Sequence, residues 1–364
     1  MRWMAPRFSR HPNWVVCGSL RGGEPSEADR PACETHDALE CLAPVIELAM
    51  SLLLILAGCA LLYVGGDMLV SASTFIADRI GMSPIAIGAT VVAIGTSAPE
   101  FSVSFWAALS GHSSISVGNV VGSNVCNIIL VLGLCGLLRP LTTSREVWRV
   151  DFPILIVVSA VFTWMVHDFL ISRPEGIALT TALLVYVLWN LRRGASDEQV
   201  AALLKEEVAD AIGNEGEADW IGPFVRAVGG VICLGLGAQS LVVGSLQTLE
   251  PFAISEAAIG ITVVALGTSV PEIGTSIIAA QRGHGDLAVG NAIGSSVFNI
   301  LGVLGLTAWV RPLVATDVDF TDGAILIATS LVGLVLVARP GGIGRLQGGL
   351  LVGTYALYLI FAII

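Results

Sequence analysis

Apolar residues run along this chain in long blocks, and the polar positions that interrupt them come in pairs. Blocks of spanning length fall at roughly 45–66, 69–80 joined to 84–110, 115–138, 152–170, 176–192, 222–245, 256–281, 287–309, 323–338 and 345–363. A helix rising about 1.5 Å per residue over such a length crosses about 30 Å of hydrocarbon. The pattern predicts an all-α polytopic membrane protein with ten transmembrane helices, residues 69–80 either continuing the first helix or starting the second.

The interruptions repeat. Residues 88–100 read GATVVAIGTSAPE and 260–272 read GITVVALGTSVPE; 118–134 reads GNVVGSNVCNIILVLGL and 290–306 reads GNAIGSSVFNILGVLGL. All four segments align at one ungapped offset of 172, which pairs Glu100 with Glu272. Five spans separate equivalent points, an odd number, so the copies cross the membrane in opposite directions. Two inverted-topology five-helix repeats with broken helices at a midplane cation site follow, the architecture of a secondary transporter. The expected organisation is a disordered tail over 1–43, a first repeat over 44–193, an acidic linker over 194–219 and a second repeat over 220–364.

Composition agrees with a membrane chain: 54% of residues are hydrophobic and 13% charged. The tail is rich in Arg, Pro, Glu and Asp and lacks the apolar core of a signal peptide. Met50 opens a more usual membrane-protein start. The linker carries eight acids and one Lys, with Val200, Leu204, Val208 and Ile212 spaced as on a short amphipathic helix. Tail and linker hold much of the acid behind the net charge of −11, which argues against a nucleic-acid partner. Seven cysteines show no C-x-x-C pair, which argues against zinc or redox chemistry.

Beyond the tail, Lys and Arg are asymmetric. One side collects Arg79, Arg139, Arg145, Arg149, Arg192, Arg193, Lys205, Arg226, Arg282, Arg339 and Arg345; the other collects Arg173 and Arg311. By the positive-inside rule both termini lie outside and the linker is cytoplasmic, in the cell (inner) membrane.

The chemistry lies in the paired motifs. Thr96, Ser97 and Glu100 share one helical face, as do Thr268, Ser269 and Glu272. Pro99 and Pro271 lack an N–H and break the helix, freeing carbonyls of the Ala93–Gly95 and Ala265–Gly267 turns. Asn119, Ser123 and Asn127 line another face at i, i+4 and i+8, repeated by Asn291, Ser295 and Asn299. Small residues such as Gly118 and Gly122 suit close helix packing, and Asn119 and Asn291 either bridge helices or join the site. A carboxylate inside the membrane costs about 3 kcal/mol on insertion scales and marks function. Two carboxylates with hydroxyl, amide and carbonyl oxygens, and no thiol or imidazole, suit Ca²⁺ or Na⁺.

These residues resemble the alpha repeats of the cation/Ca²⁺ exchanger superfamily, most closely the prokaryotic sodium/calcium exchangers, over residues ~45–364. The resemblance implies exchange of Na⁺ for Ca²⁺ by a transporter, not an enzyme, with no cofactor. It implies ligands at Ala93 (carbonyl), Thr96, Ser97, Glu100, Ser123 and Asn127, and at Ala265 (carbonyl), Thr268, Ser269, Glu272, Ser295 and Asn299. Well-known members carry Asp where this chain has Asn299. Only two carboxylates then remain, whose −2 balances one Ca²⁺, so the driving ion is Na⁺ or, alternatively, H⁺. A cation channel or an intramembrane hydrolase using Ser97 or Ser269 is the reading from another class. No His or Lys in the motif helices supplies the base a hydrolase needs. One chain holds both halves of the site, so a monomer suffices for transport.

Overall fold

The computed structural model describes residues 30–79, 93–145, 147–194 and 221–363, with only the helical backbone for 30–42. The first half contains α1 (Arg30–Arg79), α2 (Ala93–Thr96), α3 (Ala98–Ser110), α4 (Ser113–Leu138), α5 (Val147–Asp168) and α6 (Arg173–Gly194). The second contains α7 (Ile221–Leu249), α8 (Glu256–Thr268), α9 (Val270–Arg282), α10 (Gly285–Val310), α11 (Phe320–Val337) and α12 (Arg345–Ile363). Two-residue strands β1 (Leu170–Ile171) and β2 (Leu313–Val314) pair antiparallel.

Among the described residues, seven helices are long and apolar enough to cross a membrane, eight if α8 and α9 form one bent span. That is fewer than the ten expected. The span expected at 84–110 begins in residues outside those described, which leaves α2 and α3 short. Helix α6 carries charge at both ends, from Arg173 and Glu175 to Arg192 and Arg193.

Helix α1 also differs from expectation at its start. It extends back to Arg30, through the last part of the segment expected to be disordered, with Pro44 inside it. Once the apolar segment has nucleated a helix, each further turn into Ala-, Glu- and Leu-bearing sequence costs little. Residues 1–29 and most of the acidic linker, including its apolar positions, lie outside the described residues.

The halves are related by a two-fold exchange. Helix α9 matches α3 end for end at the offset of 172, and α12 starts 172 residues after α6. Leu141 pairs with Ile343, and Ile171 pairs with Leu313. Adding 172 to Leu141 and Ile171 gives Leu313 and Ile343, so these are one contact with the halves swapped. Arg139 donates to the Gln281 carbonyl at 2.6 Å and Arg311 to the Leu109 carbonyl at 2.5 Å, again the same contact exchanged. Reciprocity of this kind is the mark of a two-fold axis.

Helices α4 and α10 lie at the centre and are the most buried; α1 and α12 are largely exposed along apolar faces. Phe152, Phe162, Ile128, Leu132 and Ile293 are among the fully buried side chains of the core. Close approach is obtained by glycine. A Cβ on Gly58 would meet the backbone of Leu241 and Gly237, and one on Gly65 the backbone of Gly230 and Leu234, so α1 and α7 touch backbone to backbone. A Cβ on Gly118 or Gly122 would meet the carbonyl of Ala257 or Ile261, which seats α4 against α8.

Candidate cation site

The two proline motifs break their helices identically. Helix stops at Thr96 and resumes at Ala98, and stops at Thr268 and resumes at Val270. The residues between, Ser97 (φ −88°, ψ 9°) and Ser269 (φ −80°, ψ 7°), adopt the same bridging conformation. Pro99 and Pro271 sit in the first turn of α3 and α9, where a missing N–H is tolerated. Across the second break the axis bends by 48°. Each break thus sets a Ser at a corner and a Glu in the first turn beyond it, where the positive end of the helix dipole favours an anion.

Both carboxylates end up inside the protein. Glu100 and Glu272 are each 0% exposed and close enough to interact electrostatically. Ser269 donates to Glu100 Oε1 at 3.4 Å. Among the described residues, Glu100 Oε2, both Glu272 carboxylate oxygens and Ser97 Oγ have no hydrogen-bond partner. Buried polar atoms are nearly always paired, so this concentration of unpaired oxygens is the exception that needs a cause.

The second motif adds buried neutral oxygens. Thr268 Oγ1 donates to Asn119 Oδ1 at 3.2 Å and lies 3.4 Å from Ser123 Oγ, joining the two repeats at one point. Asn127 and Asn299 are fully buried; neither amide atom of Asn127 nor Oδ1 of Asn299 has a partner among the described residues. Both asparagines fall in π-helical turns, Cys126–Val131 and Asn299–Leu304, inside α4 and α10. Such wide turns recur at functional sites because they displace the helix face. Ser295 is buried one turn before Asn299. Ala93 and Thr96 lie in α2, the helix that leads into the first break.

Some expectations change. The Ala265 carbonyl is not free: it accepts from the Ser269 N–H at 3.1 Å and from Thr268 Oγ1 at 3.2 Å. The Ser269 N–H closes the last turn before the break onto Ala265, so the carbonyl deprived of its donor by Pro271 is that of Gly267, two residues later. Asn119 and Asn291 bridge helices. Asn119 Nδ2 donates to Ser104 Oγ at 2.9 Å and Asn291 Nδ2 to Ser276 Oγ at 2.9 Å, one contact in both repeats. A thiol is also nearer than expected, since Cys126 is buried within electrostatic reach of both glutamates. It does not converge with them: among the described residues no three His, Cys, Asp or Glu side chains are placed to hold a metal together. The π turns and the inter-repeat bonds carry no sequence signature beyond the repeated motifs themselves.

Two carboxylates, hydroxyls and amide oxygens buried in the interior can replace the hydration shell of a hard cation. Residues 50–192 and 223–364 match the family model described as sodium/calcium exchanger protein. The inner membrane protein YrbG of Escherichia coli is 33% identical over 323 residues, which cover 85% of this chain and 98% of that protein. The sodium/calcium exchanger MaX1 of Methanosarcina acetivorans is 29% identical over 347 residues, covering 86% and 98%. A solved structure of the sodium-calcium exchanger NCX_Mj, soaked with Na⁺ and Sr²⁺, superposes with a TM-score of 0.59 at 30% identity, covering 86% of this chain and 98% of that one. With both repeats matched and the broken helices in place, this multi-pass membrane chain belongs to the sodium/calcium exchanger family.

Proposed function

We propose that the chain is a secondary antiporter that extrudes Ca²⁺ across the cell membrane in exchange for Na⁺ by alternating access. The observation that carries this reading is the buried pair Glu100 and Glu272, three of whose four carboxylate oxygens have no partner among the described residues. Removing one cation from such a site leaves uncompensated charge in a low-dielectric interior, at a cost of several kcal/mol. The unloaded site therefore resists switching sides, which is what couples one ion's movement to another's.

In this reading Glu100 and Glu272 bridge the ions directly. Thr96, Ser97, Ser123, Asn127, Thr268, Ser269, Ser295 and Asn299 supply neutral oxygens, with the Ala93 carbonyl on the first side. The ten-span inverted topology, both termini outside and the linker inside, is the arrangement in which the two-fold axis lies in the membrane plane. The relatives support the reading: MaX1 and NCX_Mj are described as sodium/calcium exchangers. A second reading keeps the same glutamates and replaces Na⁺ with H⁺, because Asn299 leaves only two titratable ligands.

Reconstitution tests exchange against a channel. ⁴⁵Ca²⁺ flux in proteoliposomes is expected to saturate with Ca²⁺ and to require a cation on the opposite side. Flux that rises linearly and runs without a counter-ion would make the chain a channel.

A further inference from the structure

We infer that Asn124 is a positioning residue for the cation site, holding the Asn299 carboxamide so that its oxygen, and not its NH₂, is presented to the ion. Asn299 Nδ2 donates to Asn124 Oδ1 at 3.4 Å. Both residues are buried, Asn124 at 2% and Asn299 at 0% exposure. Asn299 Oδ1 has no hydrogen-bond partner among the described residues, so tying down the nitrogen leaves the oxygen available. A carboxamide carries one acceptor and one donor end, and rotation by half a turn exchanges them. Only the oxygen can ligate a cation; the wrong orientation would place two N–H donors against it.

The repeat shows why this matters at one asparagine and not the other. The position equivalent to Asn124 in the second half is Ser296, whose hydroxyl turns back onto the Ala292 carbonyl at 2.8 Å. Asn127, the counterpart of Asn299, has no such anchor among the described residues. The two site asparagines are therefore inequivalent: Asn299 is oriented and Asn127 is left to respond to whichever ion is bound. Asn124 does not itself face the ion with an oxygen, since its Oδ1 is occupied by Asn299.

This inference rests on the exchanger reading above, and the test separates the two. The full chain and the variants Asn124→Ser, Asn299→Ala and the double variant are reconstituted, and ⁴⁵Ca²⁺ transport is measured per inserted molecule. Losing a hydrogen bond of ordinary worth predicts that Asn124→Ser weakens apparent Ca²⁺ affinity about three- to tenfold. The maximal rate is expected to stay near that of the native chain, which a merely structural defect would not allow. In the Asn299→Ala background, Asn124→Ser is expected to change the affinity no further. An equal shift in both backgrounds, or none in the native chain, overturns the inference while leaving the exchanger reading intact. Absence of Ca²⁺ transport by the native chain overturns both. Asn124→Asp keeps the acceptor oxygen and is expected to bind Ca²⁺ no more weakly than native. Should the Ser variant fail to insert, a weakened affinity in Asn124→Asp overturns the inference by itself.

Discussion

Ser269 of the second repeat donates its hydroxyl to Glu100 Oε1 of the first across 3.4 Å, whereas the equivalent pair, Ser97 and Glu272, forms no such bond. The sequence repeat is identical at these four positions, yet the structure is not symmetric there. One carboxylate is partly satisfied and the other, fully buried, has no hydrogen-bond partner among the described residues; in the exchanger proposed above, a bound cation compensates Glu272.

Replacing either carboxylate by its amide is expected to abolish Ca²⁺ exchange while the protein still folds. At an effective dielectric of about 20, one charge pair at about 4 Å is worth about 4 kcal/mol, on the order of a thousandfold in affinity. Thermal unfolding in detergent checks the fold. Ca²⁺ at about a hundred times its dissociation constant is expected to stabilise the native chain by about 2.7 kcal/mol. Glu100→Gln and Glu272→Gln are expected to lose that response, with ion-free stability at or above native because an unpaired buried charge is gone. Near-normal Ca²⁺ flux in either variant would remove the carboxylate-bridged site from consideration.

Gly122 is a packing position with consequences for the site, because it seats α4 against the helix that carries Thr268. A Cβ there would meet the Ile261 carbonyl and the Ala265 side chain. Gly122→Ala is expected to cost about 1–3 kcal/mol by overpacking, and Gly122→Val to prevent correct folding. Thermal midpoints in detergent decide this; an unchanged midpoint for Gly122→Val would mean the helices do not approach as described.

Arg139 and Arg311 tie the ends of the broken helices across the two repeats, each donating to a last-turn carbonyl where a cation also suits the helix dipole. Both contacts are exposed, so each is expected to contribute only about 1 kcal/mol. Arg139→Ala and Arg311→Ala should lower stability by similar amounts, and the double variant by the sum, because distant sites add. Markedly unequal losses would show that the two-fold relation is broken at these contacts.

Much of this was readable from the chain, for a physical reason. A duplication that preserves Pro99 and Pro271, Glu100 and Glu272 and the spacing between motifs leaves a periodic trace that composition cannot hide. Helix breaks follow from proline geometry alone. The pairing of Asn119 with Ser104, and of Asn291 with Ser276, was not legible, because helix spacing orders residues within one segment and says nothing about which face meets which. The engaged Ala265 carbonyl is hidden from the motif for a narrower reason: proline deprives the carbonyl four residues earlier, and Ser269 still has its own N–H. The π turns at Asn127 and Asn299 follow from packing of whole helices, and Asn124 acquires a role only once Asn299 is beside it.

The proposed exchanger moves Ca²⁺ on the Na⁺ gradient through a site built on Glu100 and Glu272. It is tested most directly in proteoliposomes preloaded with ⁴⁵Ca²⁺, by raising external Na⁺ at constant pH. Rapid Ca²⁺ release is expected, and it should weaken as pH falls, because protonation removes the negative charge that holds the ion. The same vesicles without Na⁺ should hold their Ca²⁺ under a pH gradient alone. Robust Ca²⁺ movement driven by a pH gradient in Na⁺-free vesicles would contradict the Na⁺ assignment and make the two glutamates proton carriers.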